Sequence, residues 1–160
     1  MSSPLPKILF IGYGNPGRLD DGLGPALAAR IEARIEALAL KGITVEADYQ
    51  LAVENAFDVS QHDVVIFADA AVRGKAPFFF KEIHPQSPLS LGTHSVSPEA
   101  VLFLGERLFH SRARAYVLGI RGYEFNGYNE RLSERAEKNL EEALLFVEKL
   151  VQSGNFNSTY

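Results

Sequence analysis

Two adjacent aspartates, Asp20 and Asp21, follow a glycine-rich turn in KILFIGYGNPGRLDDGLGPALAARI, which opens at Lys7. A third, Asp69, closes the apolar run DVVIFAD, and His94 ends the loop HPQSPLSLGTH. Further on, GIRGYEF offers Arg121, Tyr123 and Glu124. Two carboxylates and one imidazole, if brought together, make a nitrogen/oxygen site that zinc, nickel, iron or cobalt could use with positions left open. A metal so held can polarise a carbonyl or lower the pKa of a bound water. The chain has no cysteine, which excludes disulfides, thiolate metal sites and a cysteine nucleophile.

Each of these residues also has a plainer reading. Asp20 and Asp21 could cap a helix that begins near Leu23, where carboxylates suit the positive end. Asp69 could cap the turn that follows it, although a carboxylate closing an apolar strand is costly unless paired, hydrogen-bonded or metal-bound. His62 precedes a strand, His84 adjoins a proline and His110 ends a helix, so solvation or a helix dipole accounts for them. Glu54 and Glu124 rank as secondary candidates, with a solvated side chain as the default.

Gly12, Gly14 and Gly17 also match the dinucleotide fingerprint G-x-G-x-x-G. The surroundings argue against a phosphate. RLDDGLG separates the glycines from the helix that should receive it, Pro16 lacks an N–H, and Asp20 and Asp21 bring like charge. A ribose-binding acid would have to be Glu46 or Asp48, at longer than usual spacing. No Walker A, G-x-S-x-G or H-E-x-x-H sequence is present.

The elements that must position these groups can be read from periodicity. Continuous apolar runs predict strands over 7–12 and 63–69, and shorter patterns predict strands over 43–48, 77–83 and 114–120. Leu27, Ile31, Ile35 and Leu38 form a helical stripe from Leu23 to about Leu40, stopped by Lys41-Gly42. A weaker helix is expected over 50–60. Ser97 and Pro98 look like the N-cap and first residue of another helix, and 133–152 reads as a long amphipathic one. Strands alternate with helices, so the expected architecture is an α/β three-layer sandwich, with a twisted, mostly parallel sheet of about five strands. One domain over 1–160 is expected, with 1–6 and 153–160 flexible. In such a sheet ligands bind outside the carboxyl ends of the strands, where the loops carrying Asp21, Asp69 and His94 meet.

Bulk properties narrow the partners. Of 160 residues 46% are hydrophobic and 22% charged, with a net charge of -4, which leaves no basic footprint for nucleic acid. No apolar run reaches the roughly 18 residues of a membrane span. MSSPLPK has no basic-then-apolar leader, so a cytoplasmic protein is expected.

The stretches GYGNPGRLDDGLGPALA, VIFADAA, THSVSPEAVL and GIRGYEF, in that order, resemble the hydrogenase maturation endopeptidases of nickel–iron hydrogenases. The opening G-x-G-N loop with its acidic pair and D-G-x-G is the more specific block, and the likeness runs from Ile8 to about Val151. The resemblance implies a twisted sheet flanked by helices. It implies removal of a short C-terminal extension from the hydrogenase large-subunit precursor after nickel insertion. It also implies that Asp21, Asp69 and His94 are the metal-contacting, catalytic triad. Some members carry Glu at the first position, and Asp21 is one methylene shorter. Nickel is then supplied by the precursor, with another divalent metal able to stand in, and a monomer is expected for a protein that docks on a larger subunit. Two other readings stay open: a Rossmann-like nucleotide or dinucleotide binder using GYGNPG, and a non-catalytic chaperone that checks the large subunit for metal.

Overall fold

The first strand, β1 (Ile8–Tyr13), is built from side chains that have no polar face: Ile8, Leu9, Phe10 and Ile11 are all buried. Only a strand covered on both sides can hold such a run. The computed structural model, which describes residues 4–88 and 96–156, places it near the centre of a five-stranded sheet. The others are β2 (Ile43–Asp48), β3 (Val64–Ala71), β4 (Phe78–Ile83) and β5 (Arg114–Arg121), in the spatial order β2-β1-β3-β5-β4. All pairings are parallel except β4 with β5, which is antiparallel and puts β4 at the edge.

Helices cover both faces. α1 (Leu23–Leu38) and α4 (Glu134–Ser153) close one face over Phe10, Ile66, Tyr116 and Leu118, joined by ion pairs from Arg30 to Glu137 and from Arg34 to Glu148, each 2.8 Å. α2 (Asn55–Ser60) and α3 (Pro98–Phe109) close the other over Leu9, Ile11, Val65 and Phe67. Alternate residues of each strand therefore serve different layers. The three-layer α/β arrangement and five-stranded, mostly parallel sheet are those expected.

Several boundaries differ from expectation. α1 stops at Leu38 rather than near Leu40, because Ala39 takes a left-handed conformation (φ 50°) and its N–H bonds back to Ile35. Gly42 does not cap the helix; its carbonyl accepts the Ile8 N–H at 2.7 Å. The helix expected from residue 50 begins only at Asn55, whose Oδ1 accepts the Ala52 N–H at 2.8 Å in the turn before it. β3 runs two residues past Asp69, still paired with β5 through Ala71. The flexible tail expected from residue 153 is corrected at its start: Ser153 ends α4, and Phe156 is 6% exposed and packs on the ring of Tyr116, whose hydroxyl donates to the Phe156 carbonyl at 2.8 Å.

Candidate active site at the carboxyl ends of the strands

Sheet order reverses between β1 and β3. The chain leaves β1 through α1 to reach β2 on one side, then crosses back through α2 to β3 on the other. Crevices at such a switch point are where open α/β sheets take ligands. The loop after β1 and the last residues of β3 form its walls.

The β1–α1 loop is tied by its own polar groups. The Asn15 side chain accepts the Gly17 N–H at 2.8 Å through Oδ1, closing a local turn. The Asn15 N–H donates to Oδ2 of Asp21 at 2.9 Å. The chain then makes one 3₁₀ turn over Leu19–Gly22 before α1. Gly14 has φ +141°, a conformation closed to most side chains, and a Cβ there would collide with the Asp21 carbonyl oxygen. Gly12 and Gly24 meet in the same way, which lets α1 lie directly on β1. Gly14 thus makes room for the chain's own 3₁₀ turn and Gly12 for α1. The space a pyrophosphate would use beside Gly14 is filled.

The acidic pair divides into two roles. Asp20 is wholly buried. Its Oδ2 accepts the N–H of Tyr123 at 2.8 Å, the N–H of Glu124 at 2.9 Å and the hydroxyl of Ser133 at 2.7 Å, and its Oδ1 accepts the Ser133 N–H at 2.7 Å. Burial alone would raise this carboxyl, but the bonds from Ser133, Glu124 and Tyr123 outweigh it and hold it below the usual range. The capping reading is therefore wrong for Asp20: it makes no cap bond to α1 and instead clamps the 3₁₀ turn to the segment between β5 and α4. Asp21, the next residue, is only partly buried and turns to the crevice side, held by Asn15.

Asp69 faces the α2/α3 layer, as Val65 and Phe67 do below it. The register Gly12↔Ala68 brings it beside Tyr13, the last residue of β1. Its Oδ1 accepts the Ala70 N–H at 2.8 Å. Burial pushes the Asp69 carboxyl up to about 6, the charge of Asp21 adds to this, and the bond from the Ala70 N–H opposes it. Tyr13 is held above the usual tyrosine range by burial and by the charges of Asp69 and Glu99. Sequence reading overlooked Tyr13. The available signal was a hydroxyl-bearing ring where Leu9 and Ile11 set an aliphatic pattern.

The charge of Asp21, on the β1–α1 loop, reaches Asp69 at the end of β3. His94 lies outside the described residues, three positions before Ser97. Ser97 caps α3 by accepting the Ala100 N–H at 3.1 Å, as expected, and Glu99 in the first turn is near enough to act on Tyr13. Among the described residues no set of three or more acidic or histidine side chains is arranged to hold a metal. The remaining candidates belong elsewhere. Burial, with the Asp58 and Asp48 charges, pushes Glu46 up to about 7. Glu124 pairs with Arg131 at 3.5 Å, and Arg121 donates to the Val72 carbonyl at 2.7 Å. The Tyr123 ring is flanked by Arg121 and Arg135, 5.0 and 3.8 Å from its centroid. His62 meets the Asp58 carbonyl at 2.7 Å and His110 ends α3.

No family model and no curated protein matches the chain. Solved structures do. A NiFe hydrogenase maturation protease, HycI, from Thermococcus kodakarensis is 18% identical, with a TM-score of 0.70 over 91% of this chain and 92% of that one. A hydrogenase 2 maturation peptidase from a Thaumarchaeota archaeon is also 18% identical, with a TM-score of 0.66 over 91% and 98%. The hydrogenase maturating endopeptidase HybD from E. coli is 21% identical, with a TM-score of 0.63 over 92% and 94%. The chain has the α/β fold of these proteins along nearly its whole length.

Proposed function

We propose that this chain is an endopeptidase of hydrogenase maturation. It removes the C-terminal extension of a nickel–iron hydrogenase large-subunit precursor after nickel insertion, in the cytoplasm and as a monomer. The observation that carries the reading is the pairing of Asp21 with Asp69 at the switch point. A carboxylate largely out of water, its charge further disfavoured by that of Asp21, forms an arrangement that a divalent cation relieves. The fold shared with maturation proteases and the four matching sequence stretches support the same reading.

In this reading Asp21, Asp69 and His94 contact the nickel that the precursor carries, so an extension is cut only when metal is in place. Asn15 holds Asp21, the Ala70 N–H holds Asp69, and Asp20 fixes the turn from which Asp21 projects. The cation supplies polarisation of a bound carbonyl or water. Oxygen donors from two carboxylates and one imidazole nitrogen suit nickel or a comparable divalent ion.

The test is incubation with nickel-loaded and nickel-free precursor, followed by mass spectrometry of the precursor's C-terminus. Loss of the extension from the loaded form alone, with Asp21→Asn inactive, is expected. Cleavage of both forms, or an active Asp21→Asn, would overturn the role given to the metal. Binding of loaded precursor without cleavage would favour a metal-checking chaperone instead.

A further inference from the structure

An asparagine carries a backbone N–H and carbonyl, a side-chain oxygen and a side-chain NH₂. At Asn15 the β1–α1 loop uses all but the last. The N–H donates to Oδ2 of Asp21 at 2.9 Å, the carbonyl accepts the Arg18 N–H at 3.1 Å, and Oδ1 accepts the Gly17 N–H at 2.8 Å. The bond to Gly17 settles which way round the carboxamide lies. The atom that meets an N–H must be the oxygen, so Nδ2 points away from that turn. Neither hydrogen of Nδ2 has a partner among the described residues, and Asn15 is half-buried. A serine would close the same turn, so turn geometry accounts for the oxygen and leaves the amide nitrogen unexplained. Nδ2 is four bonds from the Asn15 backbone nitrogen, at most about 5 Å, and so lies within about 8 Å of the Asp21 carboxylate. A peptide unit spans about 3.8 Å between Cα atoms, so one lodged against the Asp21 side of the crevice comes within reach of Nδ2.

We propose that Asn15 is a catalytic residue: its Nδ2 donates a hydrogen bond to the carbonyl oxygen of the peptide bond that is cut. The inference rests on the endopeptidase reading given above. In hydrolysis the oxygen of a water bonds to the carbonyl carbon, and an electron pair moves onto the carbonyl oxygen. As the C–N bond breaks, that pair returns to re-form the carbonyl, and the leaving nitrogen takes a proton from the water. A donor fixed in advance stabilises the oxygen while it carries charge, with no reorganisation at that moment. The bonds to Asp21, Arg18 and Gly17 fix both the backbone and the amide plane of Asn15 before any substrate arrives.

The experiment is cleavage of the nickel-loaded precursor by the whole chain, with kcat and KM measured for wild type, Asn15→Ser and Asn15→Asp and melting temperature as the folding control. Both variants keep an oxygen for the Gly17 N–H and lose the amide donor. Asn15→Ser adds no charge, so a fall shared by the two is not an effect of a new anion. Each is expected to lower kcat about 100-fold, with KM within about threefold and melting within about 4 °C of wild type. Wild-type kcat in Asn15→Ser would overturn the role of Asn15 and leave the endopeptidase reading intact. So would a loss carried by KM, or one that follows a fall in melting temperature, since either marks a loop that has merely loosened. No cleavage by wild type would overturn the endopeptidase reading and this inference with it. Should Asn15→Ser fail to fold, Asn15→Asp, which keeps the planar group, is judged alone by the same criteria.

Discussion

Asp20 and Ser133 meet twice. The backbone N–H and the hydroxyl of Ser133 each donate to the Asp20 carboxylate at 2.7 Å, across 113 residues of sequence. The same hydroxyl accepts the Ala136 N–H at 3.2 Å and so caps α4. One buried carboxylate thereby joins the turn that carries Asp21, the end of β5 and the start of α4. Asp20→Ala would strand the N–H groups of Tyr123, Glu124 and Ser133, which is expected to cost about 3 to 5 kcal/mol in urea unfolding. Asp21→Asn, one residue on, keeps an acceptor for Asn15 and should change stability by no more than about 1 kcal/mol. Similar losses from both would refute this division of labour.

Gly14 is where the loop's path can be tested without touching a charge. Its φ of +141° and the Asp21 carbonyl beside it leave no room for a methyl group. Gly14→Ala is expected to destabilise the protein by about 2 kcal/mol or more and to displace Asp21. Ni²⁺ affinity measured well below the melting temperature should fall with it. If the glycine instead served a pyrophosphate, wild type would bind NAD or ATP at micromolar concentration, and no such binding is expected.

Phe156 tests the correction to the C-terminal tail. Its ring lies 5.8 Å from that of Tyr116, which in turn stacks on Phe80 at 4.8 Å. Phe156→Ala should expose this aromatic row and lower stability by about 2 to 3 kcal/mol, measured by denaturant unfolding. A loss under about 0.5 kcal/mol would return the segment to the status of a free tail.

The fold was legible because β1 and β3 are continuous apolar runs and the long helices have one apolar stripe, so period and length suffice to place them. Boundaries failed where a single residue decided them. Ala39 ends α1 in a left-handed conformation that favours glycine or asparagine, and β3 gains two residues from its pairing with β5. At the site, the strand-end rule pointed to Asp21 and Asp69. Local reasoning could not separate Asp20 from Asp21, because Asp20's partners lie more than 100 residues away.

The raised carboxyl of Asp69 fixes the sign of a pH effect. An unfolded aspartate titrates near 3.8, and burial with the Asp21 charge moves the folded group to about 6. Between roughly pH 4 and 6 the folded chain therefore binds more protons than the unfolded one, so this residue's contribution to stability falls as pH rises. Asp69→Asn removes that titration. The variant should match or trail wild type near pH 4 and exceed it by about 1 to 2 kcal/mol at pH 7.5, with the gap opening through the window between. Thermal melts of both proteins across that range supply the measurement. Saturating Ni²⁺ should close the gap at pH 7.5 by stabilising wild type alone. A difference independent of pH would mean that Asp69 is not held in the environment described, and a gap indifferent to Ni²⁺ would count against its role as a metal contact.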